Sequence, residues 1–201
     1  IPNVVIKGIS ACVPKTIVKN ETLRDVFSEE ELKKTIESVG ISERRIVDND
    51  VCASDLCFKA AEQLFSEMNI DRNTIDVLIF MSQTADFRIP ATAPILQHRL
   101  GLSKDTICFD ISLACSGYVY ALTTAMTYLN LPNVNRVLLL DGETFSKIVN
   151  KKDKTNALLY GDAGTATLLE KKENEDFNAV LHTDGEGWNA VCIPGGGCRN
   201  T

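Results

Sequence analysis

The stretch Phe109-Asp110-Ile111-Ser112-Leu113-Ala114-Cys115-Ser116-Gly117-Tyr118 begins with the pattern of a strand and ends with that of a helix. The residues up to Ile111 are mostly apolar, as in a buried strand. Beyond the cysteine, Val119, Ala121, Leu122, Ala125, Met126 and Leu129 recur at helical spacing with almost no charge among them. The spacing predicts a helix from about Ser116 to Leu129, buried on nearly all sides. It also puts Cys115 at a strand-to-helix turn. Unsatisfied N–H groups and positive partial charge at a helix N-terminus favour a thiolate. The small residues Ala114, Ser116 and Gly117 leave room beside the sulfur for a bulky substituent. Read locally, the plainer account is one more buried structural thiol.

Apolar, β-branched runs recur on either side of this turn, at Val4 to Ile9, Val77 to Met81, Ile107 to Ile111 and Val137 to Leu140. Near-continuous apolarity means that both sheet faces are covered. Helical patterns separate the runs. Ser28 with Glu31 forms a capping box, Ser54 is placed to cap a segment reaching Met68, and Pro94 fits the first turn of a helix that ends before Gly101. Alternating strands and helices predict right-handed crossovers and a mostly parallel sheet in one domain spanning residues 1–201. Two further strands, Thr165 to Leu169 and Ala179 to Thr183, lie too close in sequence for a helical crossover and are expected to pair antiparallel.

Lys and Arg number 21 against 27 Asp and Glu, and the net charge of −6 gives no attraction to nucleic acid or anionic lipid. No run reaches the roughly 18 apolar residues of a membrane span, and the start lacks the layout of a signal peptide, so a cytoplasmic location is expected. The 7 cysteines are scattered without a CxxC pair, and only His98 and His182 could join them. They read as reduced thiols, mostly core filler, with no metal site. The chain opens on Ile1-Pro2 without a Met and stops in a glycine-rich stretch, which suggests that a segment has been removed.

Several segments resemble the β-ketoacyl-acyl-carrier-protein synthase III family in the family's order. They are Ile6-Lys7-Gly8-Ile9 with Val13-Pro14, Gly40-Ile41-Ser42-Glu43-Arg44, Pro90-Ala91-Thr92-Ala93, Ala114-Cys115-Ser116-Gly117, Gly161-Asp162-Ala163-Gly164-Thr165-Ala166 and Ile193-Pro194-Gly195-Gly196-Gly197. A dinucleotide-binding reading of Gly161 to Ala166 fails, because strand-like residues follow the glycines where a helix is required. The resemblance implies instead that the glycines let the backbone pass close to the helix of the nucleophile.

The resemblance implies an α/β fold, a thiolase-like half with a mixed, mostly parallel five-stranded sheet and helices on both faces, whose C-terminal counterpart is absent from this chain. It implies a decarboxylating condensation in which Cys115 takes an acyl group from a thioester and malonyl-acyl carrier protein then attacks that group. The substrate is an acyl-coenzyme A or acyl-carrier-protein thioester, and no bound cofactor or metal is required. The family's His and Asn, and a second oxyanion donor, belong to the absent half. That leaves the Cys115 N–H as the only oxyanion donor here. By the same resemblance Tyr160 and Ile89 line the acyl pocket, Ile89 from the partner subunit of a homodimer, and Lys154 stands where an arginine clamps coenzyme A. Lys34 and Ser38-Val39 replace an aromatic residue and an Arg-Thr pair. Lysine lacks the flat face that stacks on adenine, which makes a carrier-protein thioester the alternative donor. Neither His98, on a solvated helix face, nor His182 is taken as a base. Two other readings stay open: a non-catalytic dimerising or binding half, and another thiolase-fold enzyme such as a hydroxymethylglutaryl-CoA synthase relative. The latter needs an acidic base, which cannot be chosen among Glu21 to Glu37 or Asp86.

Overall fold

Val77 to Met81 is buried at every position, as a strand flanked by helices on both faces must be. The computed structural model describes residues 1–196, 198 and 199; Gly197, the last glycine of the Ile193 to Gly197 motif, lies outside them with Asn200 and Thr201. In chain order the elements are β1 (Val4–Cys12), β2 (Ile17–Lys19), α1 (Glu29–Val39), β3 (Glu43–Arg45), α2 (Ala53–Met68), β4 (Val77–Met81), α3 (Thr92–Arg99), β5 (Ile107–Ile111), α4 (Gly117–Tyr128), β6 (Arg136–Thr144) and β7 (Asp162–Lys171). Short 3-10 turns punctuate the connections.

Five strands form one sheet in the order β1-β7-β6-β4-β5. β4 pairs parallel with β5 and β6, whereas β7 pairs antiparallel with both β6 and β1. Four strands therefore run one way and β7 alone runs the other. Alternation divides the side chains between two layers. Leu78, Phe80, Leu138, Leu140 and Leu168 pack with Cys57, Leu64 and Phe65 of α2 and Leu96 of α3. Val77, Ile79, Val137, Leu139 and Leu169 pack on the opposite face with Ala121, Leu122, Ala125 and Met126 of α4. β2 and β3 form a separate two-stranded ribbon that the sequence pattern does not announce.

α1 starts with the capping box read from sequence: the Glu31 N–H donates to Ser28 Oγ, and the Ser28 N–H donates to the Glu31 carboxylate at 2.9 Å. α2 starts earlier than expected. Its cap position is Cys52, whose N–H donates to Asp55 at 2.8 Å, while Ser54 is buried inside the first turn and donates to Asp86 at 2.8 Å. Ser54 fails as a cap because Asp55 reaches back to the preceding backbone first.

Ala179 to Thr183 is not a strand. Both edges of β7 are already occupied, so no ladder remains for it. The chain runs instead beside the N-terminus, where Ile1 and Phe177 exchange backbone hydrogen bonds at 2.8 Å, and then past α4, where the Tyr120 hydroxyl donates to the His182 carbonyl at 2.9 Å. α4 is also less enclosed than its composition suggests, since Val119 is 48% exposed. Among the described residues, no helix is long and apolar enough to cross a membrane.

Candidate active site

The carboxyl ends of β4, β5 and β6 open on one side of the sheet, the side where α/β sheets bind ligands. Cys115 lies there in the turn between β5 and α4, and it is exposed. The turn is anchored on both flanks. Upstream, the Asp110 carboxylate accepts the N–H groups of Thr92 and Ala93, both at 2.7 Å, which ties the start of α3 to β5. Downstream, Gly117 donates to the Ala114 carbonyl at 2.7 Å and lies so close to Met81 that an added Cβ would come within 2.5 Å of the thioether sulfur. The Cys115 N–H makes no hydrogen bond among the described residues.

A polar cluster stands at the carboxyl ends of β4 and β6. Glu143, on β6, accepts from the Gln83 N–H at 2.7 Å and the Thr84 hydroxyl at 2.6 Å, with Ser82 Oγ at 3.4 Å. The Thr144 N–H donates to Thr84 Oγ1 at 2.9 Å, so the residues after β4 are pinned to β6. Asp141, two residues earlier, is half-buried and makes no side-chain hydrogen bond among the described residues. Burial, and secondarily the charge of Glu143, push its carboxyl up to about 6. Neither acid was singled out from sequence. The signal was present: Asp141-Gly142-Glu143 interrupts the apolar run of β6 with two acids on one face of a buried strand.

The other anticipated residues are spread apart. Tyr160 is half-buried, and its ring stacks on Phe145 with centroids 5.1 Å apart. Its carbonyl accepts from Arg44, which also donates to the buried Asn20 at 2.7 Å. Ile89 lies between β4 and α3, 88% exposed. Lys154 is paired with Glu31 on α1 at 2.9 Å, over the ring of Phe27. This pairing and the capping bonds from Ser28 hold the Glu31 carboxyl down at about 2. No hydrogen bond joins Cys115 to Ile89, Lys154 or Tyr160 among the described residues. His98 is exposed on α3, and His182 is exposed in the irregular segment after β7.

Two expectations need correction. Gly164 does not face the helix of the nucleophile; an added Cβ would lie 2.4 Å from the Cys57 backbone nitrogen, so the close approach is to α2, on the other face of the sheet. The cysteines are not mostly core filler: Cys57 alone is fully buried, its thiol pushed far up by desolvation, while Cys115, Cys192 and Cys198 are exposed. Among the described residues, no cluster of His, Cys, Asp and Glu is arranged to hold a metal.

Comparison with known proteins adds to this geometry. Residues 109–185 match the family model for 3-oxoacyl-[acyl-carrier-protein (ACP)] synthase III. A curated Campylobacter jejuni protein with a provisional 3-oxoacyl-[acyl-carrier-protein] synthase 3 name is 36% identical over 197 residues, 96% of this chain and 56% of that protein. The chain thus spans about half the length of the curated relative it matches. The crystal structure of a 3-oxoacyl-(acyl-carrier protein) synthase from Burkholderia xenovorans superposes with a TM-score of 0.93 at 36% identity, covering 98% of this chain and 57% of that one. A single-residue variant of OleA from Xanthomonas campestris shares the fold at a TM-score of 0.71 and 25% identity, over 84% of this chain and 55% of its own.

Proposed function

We propose, from the likeness of this chain to the 3-oxoacyl-[acyl-carrier-protein] synthase III relatives and from the thiolase-like fold it shares with them, that it is the nucleophile-bearing part of a condensing acyltransferase. In the first half-reaction Cys115 Sγ attacks the carbonyl of an acyl thioester. A sulfur–acyl bond forms at Cys115, the donor's carbon–sulfur bond breaks, and the departing thiol takes the proton. In the second, malonyl-acyl carrier protein loses CO2 and its carbanion attacks the acyl carbonyl, which releases the Cys115 thiolate and a β-ketoacyl thioester. The observation that carries this reading is the exposed Cys115 at an anchored strand-to-helix turn, its backbone N–H without a hydrogen bond among the described residues.

An acyl carrier protein is the proposed partner and donor. Lys154 already has Glu31 as its counterion, which supports a carrier protein over adenine recognition at that position. Tyr160, stacked on Phe145, lines the acyl pocket in this reading, and Ile89 reaches the pocket of a second subunit. β5 supports a homodimer: it ends the sheet with an unpaired edge, and its Ile107 is 42% exposed. The residues that promote decarboxylation would come from the portion of the relatives that this chain does not span. Losing a positioned acid–base group costs ~10²- to 10⁴-fold in rate, so these 201 residues alone would accept an acyl group without completing the condensation.

Incubation with an acyl thioester, followed by peptide mass mapping, tests the proposal. The expected result is a single acyl adduct at Cys115 that disappears in Cys115→Ser. Acylation at another cysteine with Cys115 unmodified would overturn it.

A further inference from the structure

Asp141 is a carboxylic acid that the mechanism above does not use. In β6, Val137 and Leu139 face α4, whereas Leu138 and Leu140 face α2 and α3. The pairing is unbroken through this strand, so Asp141 also lies on the α4 face. Beside it in register is Met81, the residue that touches Gly117, and Gly117 lies two positions after Cys115. On its other side is Thr165. One pleat further down, Tyr118 spans the sheet to Thr167, its hydroxyl 3.2 Å from Thr167 Oγ1. Asp141 therefore sits under the first turn of α4, whose opening residues follow Cys115 directly.

We propose that Asp141 regulates the nucleophile electrostatically: its carboxylate and the Cys115 thiolate compete for the positive end of α4, so that ionising Asp141 slows reaction at Cys115. This rests on the reading of Cys115 as nucleophile. The groups facing Asp141 are Glu143 on its own strand, Met81 on β4, Thr165 and Thr167 on β7, and Tyr118 on α4. The Cys57 thiol lies across the sheet and feels the charge of Asp141. Of the ionisable groups, Glu143 is the one that moves Asp141 appreciably, and no Lys or Arg is paired with it among the described residues. Asp141 is thus neutral at pH 5 and ionised above about pH 6.

The test is the rate of Cys115 modification by neutral methyl methanethiosulfonate, followed by mass mapping from pH 5 to 8.5, in the wild type and in Asp141→Asn. The ratio of variant to wild-type rate is expected to be near one at pH 5 and to rise through pH 6. It should level off at about threefold, the order of a single charge's effect in a medium between protein and water. A merely structural defect would change the rate by the same factor at every pH. Asp141→Glu should keep the wild-type inflection. The wild-type curve alone, which needs no variant, should show a second inflection near pH 6. A pH-independent ratio, or a wild-type curve with the thiol's inflection only, would overturn the proposal while leaving Cys115 as nucleophile. Modification that bypasses Cys115 altogether would defeat both readings.

Discussion

Half-burying Asp141, which has no hydrogen-bond donor among the described residues, also costs stability. Its folded value of about 6 lies above that of an unfolded aspartate, so folding disfavours the ionised form. The stability present below about pH 4 is lost as the pH rises through about 6. Asp141→Asn should therefore raise Tm at pH 7.5 and leave it nearly unchanged at pH 4; a lower Tm at pH 7.5 would reveal a donor to the carboxylate. Glu31 has the opposite sign. Held near 2, it supports the fold above the ordinary carboxylate range, and that support is lost as the pH falls towards 2. Among the thiols, limiting iodoacetamide should label Cys115 before Cys192 and Cys198, which are also exposed but not at a helix start; equal labelling would show that exposure alone governs reactivity. The position of Cys115 was legible because a change of period marks a strand-to-helix turn unambiguously. Asp141 and Glu143 were not, because whether an acid at the end of a buried strand is paired depends on neighbouring strands that lie far away in sequence.

Elements were legible wherever pattern and local chemistry agreed. The runs of β1, β4, β5 and β6 and the capping box of α1 are local features, and the structure keeps them. The ribbon of β2 and β3 escaped notice because its strands are only 3 residues each, too short for a periodic signal. Ala179 to Thr183 looked like a strand in composition, but no free sheet edge was available to it. The contact of β7 with α2 is a matter of packing and gives a sharp test. Gly164→Ala would drive a methyl group into the α2 backbone at Cys57 and should cost about 3 kcal/mol or more, whereas Gly185→Ala, with open space around it, should be nearly neutral. Denaturant midpoints compare them, and equal midpoints would mean that the helix can retreat. Ser28→Ala removes one arm of the capping box and should cost about 1 kcal/mol, a fall in Tm of roughly 2–4 °C.

For the whole molecule, an unpaired β5 edge, the exposed Ile89 and the partly bare face of α4 point to self-association. The net charge of −6 opposes it only weakly at physiological ionic strength. Sedimentation at micromolar concentration should show a species heavier than the 22.1 kDa monomer; a constant monomer mass over a tenfold range of concentration would refute this. The reversed strand has a further consequence, for the chain as it emerges from the ribosome. Among the described residues β1 pairs with β7 alone, joining Val4 to Lys171, and Ile1 closes on Phe177, 176 positions away. At roughly 5–20 residues per second, the first strand waits about 10–30 s before its partner has been synthesised. Until then Val4 and Ile6 have no sheet to join, and any chaperone that holds this nascent chain has that interval in which to bind them.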